Sequence, residues 1–338
     1  MATLARNLSI AMSKVKLADL AKIPFIDAEN LFGRTIATLS FFEKGEWHLW
    51  VPGGDAGLIK ISGWPAEGYY FGDQAEKDTD AYLDFFNFIA QRCCWPPVVR
   101  PFFALQQDYF NLCASIKKFD ILFEYSERLR DSTARLVATE LEYLFALCRS
   151  VFDLLQEMIA AQWDAVQLLD ASIKKKQLPR TFSDVALKAG SPRAIDELVQ
   201  RFSIPPMLAA FYVRSAPFFE ILRNFRDRFI HGGTTPEQVF VTERGFAVSR
   251  TSQPFCAFDV WTEEHMLPNQ LCSLRPVIGH LVLETLKVCE DYAATTQSII
   301  QYPPPIAPDM YFFVRGYFND ALMECSVARD QCLWWNRD

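Results

Sequence analysis

Long apolar runs, cysteine pairs and histidines are all scarce in this chain of 338 residues. No apolar run reaches the roughly 20 residues that a membrane-spanning helix needs, so no membrane partner is expected. The N-terminal stretch has no hydrophobic signal core with a cleavage site. It lacks acids before Asp19 and carries Arg6, Lys14 and Lys16, which reads as a short amphipathic helix; the expected address is cytoplasmic. The nine cysteines are scattered, odd in number and without a CxxC pair. That argues against a disulfide framework and fits free thiols in a reducing compartment. Glu263-Glu264-His265 lacks a second histidine at helical spacing, so it is not the zinc-protease pattern and reads as a surface loop. Neither a metal nor a cofactor is expected. No Gly-Lys-Ser/Thr follows the glycines at 53–57, and no serine sits in a Gly-x-Ser-x-Gly turn. A phosphate loop and a hydrolase elbow are therefore both missing.

Positive charge is also short. A net charge of −7 argues against a general nucleic-acid coat, which needs many phosphate contacts. The distribution is uneven, however. Residues 171–231 hold 11 Lys and Arg against 5 Asp and Glu, a surplus of six that leaves −13 on the remainder. A basic region on an acidic protein fits a partner that is phosphate-rich at one spot. A solvated Lys/Arg face is the plainer alternative.

What the chain has in quantity is apolar and aromatic mass, 50% and 14%, enough to bury a sizeable core in one large domain or two modest ones. Thr35–Phe42, Glu46–Val51 and Leu58–Ser62 are rich in β-branched and aromatic residues, with a glycine-rich turn before the last, and predict a small antiparallel sheet. Asp80–Arg92 reads as a helix. From Leu105 to Leu169 the pattern is almost continuously helical, with no proline between Pro101 and Pro179. Val137, Leu141, Leu144, Cys148, Val151, Leu155 and Met158 recur in steps of three and four. Cys113, Ile116, Phe119, Leu122 and Tyr125 form a similar seam, so two long antiparallel helices are expected. Ser191-Pro192 reads as a capped helix start, and a helix from Met207 should bend or start afresh at Pro217. Gln238–Thr242 and Phe246–Ser249 read as a hairpin, with Phe255–Trp261 as a third strand. Leu274–Thr296 reads as a helix, and Tyr311–Cys325 as a last helix before Trp334 and Trp335, which are expected to pack on the body.

The chemistry concentrates in Arg223-Asn224-Phe225-Arg226-Asp227-Arg228-Phe229-Ile230-His231-Gly232. On a helix, Phe218, Leu222, Phe225 and Phe229 fall on one side as a core stripe. Arg223, Asp227 and His231 step by four along the opposite side, with Asn224 beside them and Arg226 at the flank. A proton-transfer group beside guanidinium groups is what phosphodiester cleavage without a metal needs. The alternative is a solvated helix face ending in a histidine that the macrodipole favours, with Gly232 past the end. The other histidines carry less: His48 reads as a strand-face residue and His280 as a packing residue.

Arg226-Asp227-Arg228-Phe229-Ile230-His231 resembles the signature of the HEPN superfamily: arginine, a polar residue that is often Asn or Asp, a short spacer, then histidine on a late helix of a bundle. Arg223-Asn224 offers a second start with a longer spacer to the same His231. The resemblance covers roughly residues 105–296. It implies a mainly α fold, a HEPN-like helical bundle with small antiparallel β additions. The segments would be an N-terminal region 1–104 with the small sheet, the bundle over 105–300 with an inserted hairpin, and a C-terminal helix and aromatic tail over 301–338. It further implies a metal-independent endoribonuclease acting as a homodimer whose two motifs meet across the interface. His231 would assist attack of the RNA 2′-hydroxyl or protonate the leaving 5′-oxygen. Arg226 would steady the charge on the pentacoordinate phosphate, and Asp227 would orient His231 or Arg226. Arg223, Asn224 and Arg228 would hold the RNA. Many members serve instead as RNA-binding or scaffold modules, or as toxins paired with an antitoxin, so a protein partner or a defence role is within its scope. The reading from another class is a non-catalytic interaction protein on a helical scaffold.

Overall fold

The computed structural model describes residues 17–54, 57–130, 132–231, 238–327 and 334–335, with the side chains of 17, 226–231 and 326–327 outside that description. Four long helices pack together: α1 (Pro96–Glu124), α2 (Ser132–Trp163), α3 (Pro206–His231) and α4 (Arg275–Ile299). The seven stripe residues from Val137 to Met158 are all buried on α2, as steps of three and four require. α1 and α2 run antiparallel. Lys118 pairs with Glu140 at 3.1 Å, Asp108 accepts from the Ser150 hydroxyl, and Arg100 meets Glu157 at 3.5 Å. α3 returns along α2 in the opposite sense, with the Phe225 and Phe145 rings stacked at 3.8 Å and Tyr212 donating to Gln156 at 2.6 Å. α4 runs back along α3, where Arg214 meets Asp291 at 2.8 Å.

The strands of the two larger sheets are, in chain order, β1 (Ser40–Glu43), β2 (Glu46–Pro52), β3 (Leu58–Ile61), β4 (Gly68–Gly72), β5 (Ala81–Tyr82), β6 (Phe240–Thr242), β7 (Gly245–Ser249), β8 (Met266–Leu267), β9 (Leu271–Ser273) and β10 (Tyr311–Arg315). The first sheet has six strands in the order β3-β2-β1-β4-β10-β5. The β1–β2 turn is Lys44-Gly45, with φ of 50° and 84°, the paired positive values that match the twist of a two-residue hairpin. β1 and β4 are parallel and the other pairings antiparallel. Alternation sorts its aromatics. Phe41, Phe71 and Phe312 join the main core, where Phe102 of α1 lies 6.1 Å from Phe312. Phe42, Tyr70 and Phe313 form a smaller cluster on the other face, edged by Trp47. The second sheet runs β8-β9-β7-β6.

The expected helical bundle with small antiparallel additions is corrected here. Of the described residues 53% are helical and 16% are in strands, with a six-stranded mixed sheet and three further small sheets among them. The reason is β10. Tyr311-Phe312-Phe313-Val314 is a continuous apolar run with no helical period, and with Arg315 it inserts between β4 and β5 instead of opening a helix. The last helix spans Asn319–Val327. Gly316 turns the corner between them: an added Cβ there would lie 2.4 Å from Asn319 Oδ1. Residues 104 and 105 lie inside α1, and β10 pairs within the sheet of the first expected segment.

Other expectations shift for local reasons. The Asp80–Arg92 helix shrinks to Asp84–Phe88 followed by a π-turn over Ile89–Cys93, because Asp80 is held by Arg315 and Tyr82 lies in β5. Ser191-Pro192 pairs with Leu187-Lys188 as a short ladder, and the helix begins at Ile195 after the N-cap Ala194. α3 runs on through Pro217. Phe255–Ala257 is a 3₁₀ turn, and β8 and β9 complete the second sheet in its place. Among the described residues no helix is long and apolar enough to cross a membrane.

Candidate functional site

α3 begins on Pro206, whose fixed φ suits a first helical turn. Leu208, Phe211, Tyr212, Phe219, Leu222 and Phe225 of this helix are buried. Of the expected stripe, Leu222 and Phe225 are buried and Phe218 is half-buried; Phe219, not expected there, takes the fully buried place, and it packs with Phe225 against α2. Arg223 is half-buried and Asn224 exposed, so both lie off the stripe. The helix continues to His231. The side chains of Arg226, Asp227, Arg228 and His231 lie outside the described residues, as do Phe229 and Gly232. The backbone alone puts positions 223, 227 and 231 in one row, about 12 Å from first to last. The row ends at the C-terminal pole of the helix dipole, where a cation is favoured.

The basic stretch 171–231 does not form one patch. Lys176 donates to the carbonyls of Gln200 and Arg201, just before the start of α3. Lys175 binds the carbonyls of Trp163 and Val166 and so closes the end of α2. Arg193 and Lys188 share Glu197. From Pro206 to His231 is 25 steps of about 1.5 Å, roughly 37 Å. The lysines near 175 therefore sit at the far end of α3 from the motif.

The remaining histidines are structural. His48 lies between Phe25 and Trp50 with Lys60 Nζ 2.9 Å from Nδ1. His280 meets the Phe218 and Phe258 rings edge-on, the packing role expected of it. His265 was expected on a surface loop and is 3% exposed instead. Its Nδ1 accepts from the Thr262 amide at 2.9 Å, closing a 3₁₀ turn over Glu263–His265. Burial lowers its pKa and favours the neutral ring.

Sequence reasoning missed a cavity of about 430 Å³ between the Asp84–Phe88 helix, α4 and residues 305–311. Asp84, Arg92, Glu290, Gln297 and Tyr311 help to line it. Asp84 and Glu290 lie far apart in the chain and belong to no motif, so no signal pointed there. The Glu290 carboxyl feels the backbone amides of Asp84 and Phe85 at the start of the Asp84–Phe88 helix, where Leu83 makes no side-chain cap. Burial, with the Asp84 charge adding to it, pushes the Glu290 carboxyl up to about 7. A folded-state value above the unfolded one favours folding at acid pH, and that contribution is lost as pH rises from about 4.5 to about 7. Glu290→Gln is therefore expected to flatten stability against pH over that window and to stabilise the protein by about 1–2 kcal/mol at pH 8. Urea unfolding at pH 5 and pH 8 checks this; an equal effect at both would contradict it.

Among the described residues no three His, Cys, Asp or Glu side chains gather to hold a metal ion. No protein-family model, curated protein or solved structure matches the chain.

Proposed function

We propose that the C-terminal end of α3 acts on RNA as the HEPN-like motif implies, cleaving the strand without a metal, with two copies of the chain joined so that their motifs meet. The observation that carries this reading is the division of α3 itself. Phe219, Leu222 and Phe225 are buried while Asn224 is exposed and Arg223 half-buried, so the described polar residues of this half of the helix lie off its buried face. In the reaction, the 2′-oxygen bonds to the adjacent phosphorus as the bond to the 5′-oxygen breaks. His231 takes the 2′-hydroxyl proton or supplies one to the leaving oxygen. Arg226 stabilises the charge that builds on the phosphate, with Asp227 orienting the pair. Arg223, Asn224 and Arg228 hold the strand.

The test is incubation of the full chain with RNA in EDTA, alongside retention on RNA across a salt series. The reading expects shortened RNA and retention that falls steeply with salt. RNA binding without any cleavage would make the protein a binding module. No retention at any salt would favour the interaction scaffold, with a protein partner in place of RNA.

A further inference from the structure

We propose that Trp334 and Trp335 form a detachable latch, a di-tryptophan peptide ligand that the chain carries for its own groove and that seats the four-stranded sheet against the helices. The inference is independent of the RNA reading. Both indoles are buried, at 4% and 5% exposure, yet neither residue belongs to a helix or strand. The groove is built from four separate parts of the fold. Phe123 and Asp120 come from α1, Arg244, Gly245 and Phe246 from the β6–β7 hairpin, Glu264 from a 3₁₀ turn and Arg275 from the start of α4.

The recognition is specific to indoles. Trp335 Nε1 donates to Asp120 at 2.8 Å, and Trp334 Nε1 donates to the Glu264 carbonyl at 3.0 Å. The Arg244 guanidinium lies 4.7 Å from the Trp334 ring and that of Arg275 5.3 Å from the Trp335 ring, both cation–π contacts. Gly245 opens the floor: a Cβ there would lie 2.5 Å from Trp335 Cε3. The Trp335 amide bonds to the Arg244 carbonyl at 3.1 Å, and Arg275 reaches the Trp334 carbonyl at 3.3 Å. A phenylalanine fits neither N–H contact. The ligand class is therefore a peptide with adjacent tryptophans, held at the described residues by side-chain anchors and one backbone-to-backbone bond with no β-ladder, so its release would dismantle no described element.

The groove includes the turn of the β6–β7 hairpin, which follows α3 in the chain. The experiment is backbone hydrogen exchange on the full-length Trp334→Ala/Trp335→Ala variant. Exchange at 240–249 and 266–273 should quicken at least tenfold, with 137–158 and 40–52 unchanged. Adding a synthetic peptide of residues 328–338 should restore protection saturably, and the same peptide with alanine at both tryptophans should not. Unchanged exchange would overturn the proposal, as would regional quickening that the peptide fails to reverse. If the double variant does not fold, Arg244→Ala keeps both indoles and should show the same regional pattern at smaller size. Loss of protection throughout both variants would make the pair ordinary core and overturn the latch.

Discussion

Replacing His231 with alanine is expected to lower RNA cleavage by about a hundred- to ten-thousandfold, the range for removing a positioned proton-transfer group. The fold should survive the change. The buried Phe219 and Phe225 rings pack on Phe152 and Phe145 of α2 and anchor this part of α3, with Leu222 buried between them in the chain. Arg226→Ala should cost about a hundred- to a thousandfold by withdrawing charge stabilisation from the phosphate. Both variants should keep the far-ultraviolet dichroism of the parent. His231→Ala should also keep most of its retention on RNA, because binding is proposed to rest on the arginines. A variant that cleaves at the parental rate would remove His231 from the chemistry. A variant that loses dichroism would show that the helix end is structural.

Arg315→Met is expected to destabilise the protein by about 3–5 kcal/mol, the range for breaking one side of a buried ion pair. Arg315 ends β10 and is 3% exposed. Its Nε donates to Asp80 Oδ1 at 2.9 Å, its Nη2 reaches Asp80 and Glu76, and its guanidinium lies 4.9 Å from the Trp47 ring. Asp80 also accepts from the Tyr70 hydroxyl at 2.8 Å and the Lys77 amide at 3.1 Å. Without Arg315 that carboxylate stays buried with its main countercharge gone. Arg315→Met with Asp80→Leu should recover much of the loss, since no buried charge is then left over. Urea unfolding at neutral pH measures both. A loss under about 1 kcal/mol for the single variant would mean that the network does not hold β10 in the sheet.

The helices were legible where one face alone is buried. Val137 to Met158 on α2 and the Phe219–Phe225 stretch of α3 show their period because solvent lies on the other side. β10 was not, because Phe312 and Phe313 are covered on both faces of the sheet, and a strand buried on both faces carries no alternation to read. Its partner β4 lies more than 200 residues away in the chain, as does Asp80 from Arg315, and nothing local records such pairings. His265 looked like a loop residue because Glu263 and Glu264 precede it. The ring turns inward to cap Thr262, a contact over three residues that composition does not reveal. At the candidate site, Leu222 and Phe225 on the buried face and the outward placement of Asn224 were legible for the same reason as α2, whereas Phe219 takes the buried place expected of Phe218. The spread of the basic stretch along α3 was not, since a charge count ignores the 26-residue helix that separates its two ends.

The most direct measurement is end-group analysis of RNA incubated with the full chain in EDTA. Attack by the 2′-oxygen predicts fragments with a 2′,3′-cyclic phosphate on one side of the cut and a 5′-hydroxyl on the other, and none from the His231→Ala protein. Intact RNA, or fragments that form equally without His231, would contradict the account.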